Sequence, residues 1–103
     1  MVVAFEDDAL VKLFETSLAD LKGKQKYPLA VIKQFKKKIE LLIAIKALED
    51  LKPFKGLNFE YLKGNRLGQS SIRLNDQYRL VFVTSFEGVI QILLIIEISK
   101  HYE

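Results

Sequence analysis

The sequence contains no cysteine and, among 103 residues, a single histidine and two prolines. The absence of cysteine excludes a disulfide framework, cysteine-ligated zinc, an iron–sulfur cluster and a thiol nucleophile, and a lone histidine argues against a zinc or haem site. We therefore expect no metal and no cofactor. Because half of the residues are hydrophobic and 28% are charged, the chain is expected to fold, and its length predicts one domain over residues 1–103.

Long hydrophobic runs are also missing. The longest, from Val89 to Ile98, is interrupted by Gln91 and Glu97 and falls well short of the roughly 18 residues that a transmembrane helix needs. It is therefore predicted to be a buried strand. The opening segment MVVAFEDD has neither a basic region nor a long apolar stretch, so it does not resemble an export signal. We expect a cytoplasmic protein without membrane contact.

Positive charge is modest in total, at +3, but it is concentrated in two zones. The first, from Leu21 to Ile39, holds seven lysines and no acidic residue. A solvated helix face explains such a run as well as a binding surface does. The second zone, from Leu62 to Arg79, has Asp76 as its one acid and contains four basic residues: Lys63, Arg66, Arg73 and Arg79.

Hydrophobic periodicity predicts the element order β-α-α-β-β-β. The apolar run at 2–5 is followed by acidic residues that suit the start of a helix, which we expect to continue to Gly23. A longer helix with Pro28 in its first turn should end before Pro53. Its apolar stripe is Leu29, Ile32, Phe35, Ile39, Leu42 and Ile43, with Lys33, Lys36 and Lys37 outside. The segment from Lys52 to Gly68, with one proline and three glycines, is predicted to be a packed connection with turns. Alternating patterns then predict strands over residues 70–75, 78–86 and 89–98.

The first two of these later strands are predicted to form a hairpin with a three-residue loop, Asn75 to Gln77. A two-residue loop would bury an arginine among aliphatic side chains, whereas the longer loop sorts apolar and polar residues onto separate faces. In that register Arg73 lies directly opposite Arg79. Two facing cations destabilise a strand pair unless an anion neutralises them. The anion can be a bound phosphate, or an acid of this chain such as Glu97 or Glu103.

No strong catalytic motif is present in the sequence. The KGNRLG stretch at residues 63–68 lacks the spacing of a phosphate-binding or dinucleotide-binding loop. His101, followed by Tyr102, is the one side chain that normally titrates near neutral pH. A terminal histidine is commonly just solvated, so a functional role for His101 requires that the sheet brings it near the arginines.

The segment LEDLKPFKGLNFEYLKGNRLGQSSIRLNDQYRLVF, residues 48–82, resembles the signature region of HigB toxins, a branch of the RelE/ParE superfamily of bacterial toxin–antitoxin systems. The LKG, GQ, SIR and NDQYR elements carry the resemblance. It implies a RelE-like α+β fold in which a twisted, mainly antiparallel sheet packs against two N-terminal helices, and this matches the element order predicted above.

The resemblance further implies a toxin of a type II system, namely a metal-independent, ribosome-dependent mRNA endonuclease that inhibits translation. Arg73 and Arg79 would stabilise the phosphate during attack by a ribose 2′-hydroxyl. Lys63, Arg66 and Lys100 would hold RNA backbone, and the helix with Lys33, Lys36 and Lys37 would dock on ribosomal RNA. A HigA-like helix-turn-helix antitoxin is the expected partner, and the free toxin is expected to be a monomer.

The C-terminus departs from the family pattern. Many HigB toxins end their last strand with an E-I-x-D-Y-H type sequence, whereas this chain reads EISKHY from Glu97 to Tyr102. Lys100 replaces the acid, and His101 and Tyr102 stand in the reverse order. Catalytic roles are still expected for His101 and Tyr102, with Lys63 or Lys100 as alternative acid–base groups.

A ParE-like gyrase inhibitor and a catalytically inert, antitoxin-binding relative are the competing functions.

Overall fold

A computed structural model describes residues 1–100, and the predicted roles of His101, Tyr102 and Glu103 lie outside the described residues. Within residues 1–100, five strands form one sheet, with two α-helices in the connections. The strand order is β1-β5-β4-β3-β2, with β1 parallel to β5 and the other pairs antiparallel. The elements are β1 Val2–Phe5, α1 Asp8–Glu15, α2 Leu29–Ala44, β2 Glu60–Tyr61, β3 Gln69–Arg73, β4 Tyr78–Glu87 and β5 Ile90–Lys100.

The predicted α+β class and mainly antiparallel sheet are confirmed, with one addition. The short strand β2 lies in the segment that was predicted to be a connection, where Glu60 pairs with Ser71 of β3. Short 3₁₀ turns follow α2 and continue into that segment, and they bury Leu48, Leu51 and Leu57 in the core. Among residues 1–100, no helix is long and apolar enough to cross a membrane.

The first helix begins as predicted but ends earlier. The Asp7 side chain accepts a hydrogen bond of 2.9 Å from the backbone N–H of Leu10 and so caps α1. The expectation of a helix continuing to Gly23 is wrong, since α1 ends at Glu15 and a separate 3₁₀ turn follows. The ammonium of Lys36, on α2, lies beside the end of α1. It donates hydrogen bonds to the carbonyl oxygens of Phe14, at 2.7 Å, and of Thr16.

The second helix supplies much of the core. Val31, Ile32, Phe35, Ile39 and Leu42 are all fully buried. Two members of the predicted stripe are not in the core, because Leu29 and Ile43 lie near the helix ends and are about half exposed.

The hairpin of β3 and β4 has the predicted register. Ile72 pairs with Leu80 in the core, and Arg73 pairs with Arg79 on the opposite face of the sheet, which we call the open face. Asn75 fixes the turn, because its side-chain oxygen accepts hydrogen bonds of 2.8 Å from the backbone N–H groups of Gln77 and Tyr78.

A bulge interrupts the pairing of β4 with β5. Phe82 pairs with Ile95 and Val81 pairs with Glu97, so Ile96 is an extra residue on β5. Side chains three residues apart on a regular strand point to opposite faces. The extra residue removes this difference, so Ile95 and Ile98 are both buried. Glu97 is thereby placed opposite Val81, on the open face that carries the arginines.

Candidate active site

Arg73 and Arg79 occupy a shallow depression on the open face. We call it the arginine hollow; it has a volume of about 250 Å³ and is lined by Asn58, Arg73, Asn75, Asp76 and Arg79. The hairpin register places the two arginines on neighbouring strands, as predicted. The anions that neutralise them in this structure are acids of the chain, but neither is the Glu97 that was suggested: Arg73 pairs with Asp76, and Arg79 pairs with Glu60.

Arg79 is the more constrained of the two arginines. Its side chain is only 13% exposed, and its terminal nitrogen lies 3.1 Å from a carboxylate oxygen of Glu60. Its Nε donates to the hydroxyl of Ser71 at 2.9 Å, and a terminal nitrogen donates to the carbonyl of Asn58 at 2.7 Å. Two hydrogen bonds and one ion pair therefore fix the direction in which this guanidinium points.

Arg73 is freer. Its side chain is 41% exposed and its partner, Asp76, is almost fully exposed in the hairpin turn. Exposed ion pairs contribute little to stability and exchange easily. A phosphate entering the arginine hollow can thus replace Asp76 on Arg73 at small cost.

A second depression, which we call the strand cleft, adjoins the first. It has a volume of about 370 Å³ and is lined by Leu62, Arg66, Ser71, Arg79, Val81, Ser99 and Lys100. Arg79 belongs to both depressions and joins them. Arg66 donates to Gln69 and to Glu97, each at 2.6 Å. Of the predicted cations, Arg66 and Lys100 therefore lie beside Arg79, while Lys63 is exposed just before the turn that carries Arg66.

The lysine-rich helix contributes a third depression on the other side of Arg73. We call it the lysine groove; its volume is about 750 Å³ and its lining includes Lys33, Lys37, Lys38, Phe54, Leu57 and Arg73. Arg73 borders both the lysine groove and the arginine hollow. Arg73 and Arg79 thus link three depressions that lie between α2 and the end of β5, and we call the three together the basic track.

The predicted RNA-contacting lysines of α2 do not all lie on this track. Lys33 and Lys37 do, and both are exposed. Lys36 was predicted to lie outside the apolar stripe and to contact RNA. In the structure its ammonium points toward the end of α1, where two carbonyl oxygens accept its hydrogen bonds. Lys38, which had no assigned role, lines the groove in its place. Partial burial, together with the neighbouring Lys37, lowers the pKa of Lys38 below its ordinary value.

Two site residues escaped sequence reasoning. Glu60 and Asn58 lie in a segment that was expected to be only a connection, but both contact the guanidinium of Arg79. Asn58 has a positive φ of 49°, which aims its carbonyl at Arg79. The alternation Phe59-Glu60-Tyr61 is compatible with a short edge strand that has one polar face, but three residues are too few to establish a periodicity.

The arrangement suits the binding of a phosphodiester. Guanidinium groups recognise phosphate oxygens through paired hydrogen bonds, and the neighbouring carboxylate of Glu60 is a proton acceptor within reach of a group held by Arg79. In the described part of the chain, no three histidine, cysteine, aspartate or glutamate side chains come together in a way that could hold a metal ion.

The fold of the chain has a counterpart among solved structures. A solved structure described as a YoeB/ParE toxin from Agrobacterium tumefaciens matches with a TM-score of 0.58 and 23% identity, covering 99% of this chain and 100% of that one. The chain thus shares the fold of this toxin.

Sequence comparison then gives the family. Residues 3–95 match the model of the HigB-like toxins, described as the RelE-like toxin of type II toxin–antitoxin system HigB. Toxin HigB-1 of Vibrio cholerae serotype O1 is 38% identical over 82 residues, which cover 80% of this chain and 82% of that toxin. The chain belongs to the HigB-like family, whose toxins are ribonucleases, and as a toxin of a type II system it pairs with an antitoxin.

Proposed function

We propose that the protein is an mRNA endonuclease that cleaves messages on the translating ribosome without a metal ion. The observation that carries the proposal is the placement of Arg73 and Arg79 on opposite residues of two paired strands, at the junction of one basic track. Since the exposed carboxylate of Asp76 exchanges easily on Arg73 and Arg79 is held in a fixed direction beside Glu60, a scissile phosphate has two cations to receive it.

The chemistry follows from this placement. The ribose 2′-oxygen forms a bond to the adjacent phosphorus and the bond to the 5′-oxygen breaks, which leaves a 2′,3′-cyclic phosphate and a 5′-hydroxyl. Negative charge builds on the phosphoryl oxygens during this step, and Arg73 and Arg79 stabilise it. One group must take the proton of the 2′-hydroxyl and another must give a proton to the leaving oxygen.

For the proton acceptor we propose Glu60, because its carboxylate is already held at Arg79. For the proton donor we retain His101 and Tyr102, with Lys100 as the alternative at the edge of the strand cleft. Lys63 and Arg66 bind RNA backbone beside the cleft, and Lys33 and Lys37 bind it at the far end of the track. Lys36 is left out of this set because its ammonium is engaged within the fold.

For the biological setting we propose a monomeric toxin that acts in the cytoplasm and is silenced by a HigA-like helix-turn-helix antitoxin. The family membership supports an antitoxin partner. The exposed cations of the track support an acidic or amphipathic antitoxin segment, since it can neutralise them.

The deciding experiment induces the protein without antitoxin and maps mRNA ends by primer extension, next to Arg73→Ala and His101→Ala variants. We expect new 5′ ends within translated frames, which disappear with Arg73→Ala. Growth arrest without cleavage would instead favour a ParE-like gyrase inhibitor, which a supercoiling assay then tests. A folded protein with neither arrest nor cleavage would leave an inert antitoxin-binding relative. The His101→Ala sample reports whether the altered terminus takes part in the chemistry.

A further inference from the structure

The lysine groove combines three lysines with an exposed aromatic ring. The ring of Phe54 is 51% exposed, and among residues 1–100 it has no aromatic ring packed against it, whereas Phe59 packs on both Phe82 and Tyr61. A half-exposed phenylalanine contributes less to stability than a buried one, so the core does not explain its position.

The backbone around Phe54 is firmly held. Its N–H donates to the carbonyl of Leu51 at 3.0 Å, and its own carbonyl accepts from the N–H of Leu57 at 3.0 Å. Leu51 and Leu57 are both buried in the core. The exposed ring is therefore presented from a fixed turn, which lowers the conformational entropy lost when a flat ligand stacks on it.

The charges around the ring are of one sign. Lys33, Lys37 and Lys38 form one wall and Arg73 stands at the end, and in the described part of the chain no acidic residue lines this groove. The Nζ of Lys38 is steered by Gln34, whose side-chain oxygen accepts from it at 3.0 Å. A row of cations beside an aromatic platform is the arrangement that binds single-stranded nucleic acid, with phosphates on the cations and a base on the ring.

We propose that the lysine groove binds the single-stranded message next to the scissile phosphate and that a base stacks on Phe54. The proposal deepens the endonuclease function and rests on it, because Arg73 joins the groove to the arginine hollow. Phe54 is then a binding residue that orients the single-stranded RNA in the site, while Lys33 and Lys37 neutralise the flanking phosphates.

The test measures binding of a fluorescent single-stranded RNA of about eight nucleotides, made fully 2′-O-methyl so that it cannot be cleaved. The protein is used as the full chain without ribosomes. Phe54→Ala is expected to weaken binding about tenfold, as is typical for the loss of one stacked base, and Phe54→Trp should keep the affinity. Phe86→Ala is the matched control, because Phe86 is also exposed, at 64%, but lies at the end of β4 away from the groove.

An abasic version of the probe separates stacking from charge. On this probe, Phe54→Ala should bind as the wild type does. The double variant Lys33→Gln with Lys37→Gln should reduce the slope of log affinity against log salt by about 1.4, at about 0.7 per phosphate of a single strand. The control pair is Lys12→Gln with Lys46→Gln, two exposed lysines outside the groove, which should leave the slope unchanged.

The outcomes distinguish this inference from the proposed function. If Phe54→Ala and Phe86→Ala bind equally well, or if the protein prefers a duplex hairpin to the single strand, the stacking site is wrong even though the wild type cleaves ribosome-bound message. If binding depends on Phe54 but the wild type cleaves no message on ribosomes, the groove stands as an RNA site and the endonuclease function is wrong.

Discussion

Arg73 and Arg79 face each other across two paired strands, yet each is neutralised by its own carboxylate of the chain. Asp76 pairs with Arg73 at the hairpin turn, and Glu60, which lies on β2 beyond β3, pairs with Arg79. The repulsion expected of facing cations is thus relieved within the chain, and the site folds without a bound anion.

The two arginines should therefore respond differently to substitution. Arg73→Ala removes an exposed ion pair and is expected to change the free energy of unfolding by less than about 1 kcal/mol. Arg79→Ala removes hydrogen bonds to Ser71 and Asn58 and should cost about 1–3 kcal/mol. Both should abolish cleavage. Urea unfolding and a ribosome-bound mRNA cleavage assay check these outcomes, and cleavage retained in both variants would remove the arginines from the mechanism.

Glu60→Gln should separate binding from catalysis. The amide keeps the shape of the side chain but removes the charge that competes with phosphate for Arg79 and the oxygen proposed to accept a proton. Affinity for uncleavable RNA should stay the same or rise, while the cleavage rate at saturating ribosomes falls by about 10²–10⁴, the usual contribution of a positioned base. Asp76→Asn is the control, since it removes the other competing charge without touching the proposed base; a similar fall in rate for both would argue against Glu60.

Lys36 and Lys33 lie three residues apart on α2, and we predict opposite effects of replacing them. Lys36→Met leaves the carbonyls of Phe14 and Thr16 without their donor and should lower the free energy of unfolding by about 1–3 kcal/mol. Its RNA affinity should not change. Lys33→Met should leave stability within about 0.5 kcal/mol and weaken RNA binding. Thermal unfolding and anisotropy titration measure the two effects, and a stable Lys36→Met variant that binds RNA poorly would restore Lys36 to the RNA surface.

The lowered pKa of Lys38 predicts that the free energy of unfolding depends on pH. Burial and then Lys37 lower its pKa in the fold, so the unfolded chain binds more protons than the folded one between that lowered pKa and the ordinary value near 10.5. Stability from this group consequently rises as pH rises through that window. Lys38→Met should be more stabilising at neutral pH than above pH 10.5, and urea midpoints of both proteins across the range give the difference. If the urea midpoints of the wild type and the Lys38→Met variant differ by the same amount at every pH, the lowered pKa is contradicted.

The sequence allowed much of the sheet to be predicted, because the register of a hairpin follows from which residues must be buried. Ile72 and Leu80 could be buried together only if Arg73 faced Arg79, and the structure has that pairing. The early end of α1 could not be predicted in this way. The carbonyls at that end accept hydrogen bonds from Lys36, which is 20 or more residues away in sequence, and such a contact leaves no mark in the local residue pattern.

The acidic half of the site was missed for a similar reason. Glu60 acts through a two-residue strand, and strands that short carry no periodicity. Glu97 posed a different problem. Strict alternation with the buried Leu93 and Ile95 would have sent Glu97 into the core, and a bulge that is invisible in the residue pattern returns it to the open face.

That bulge also affects how the chain tolerates changes of length. Loss of one residue from a paired strand normally reverses the face of every side chain beyond it. Deletion of Ile96 would not, because Ile95 already lies opposite Phe82 and Glu97 opposite Val81. Related chains can therefore be one residue shorter at this point and still present Glu97 to Arg66 and Ser99 to the strand cleft, so an alignment gap here signals no loss of the site.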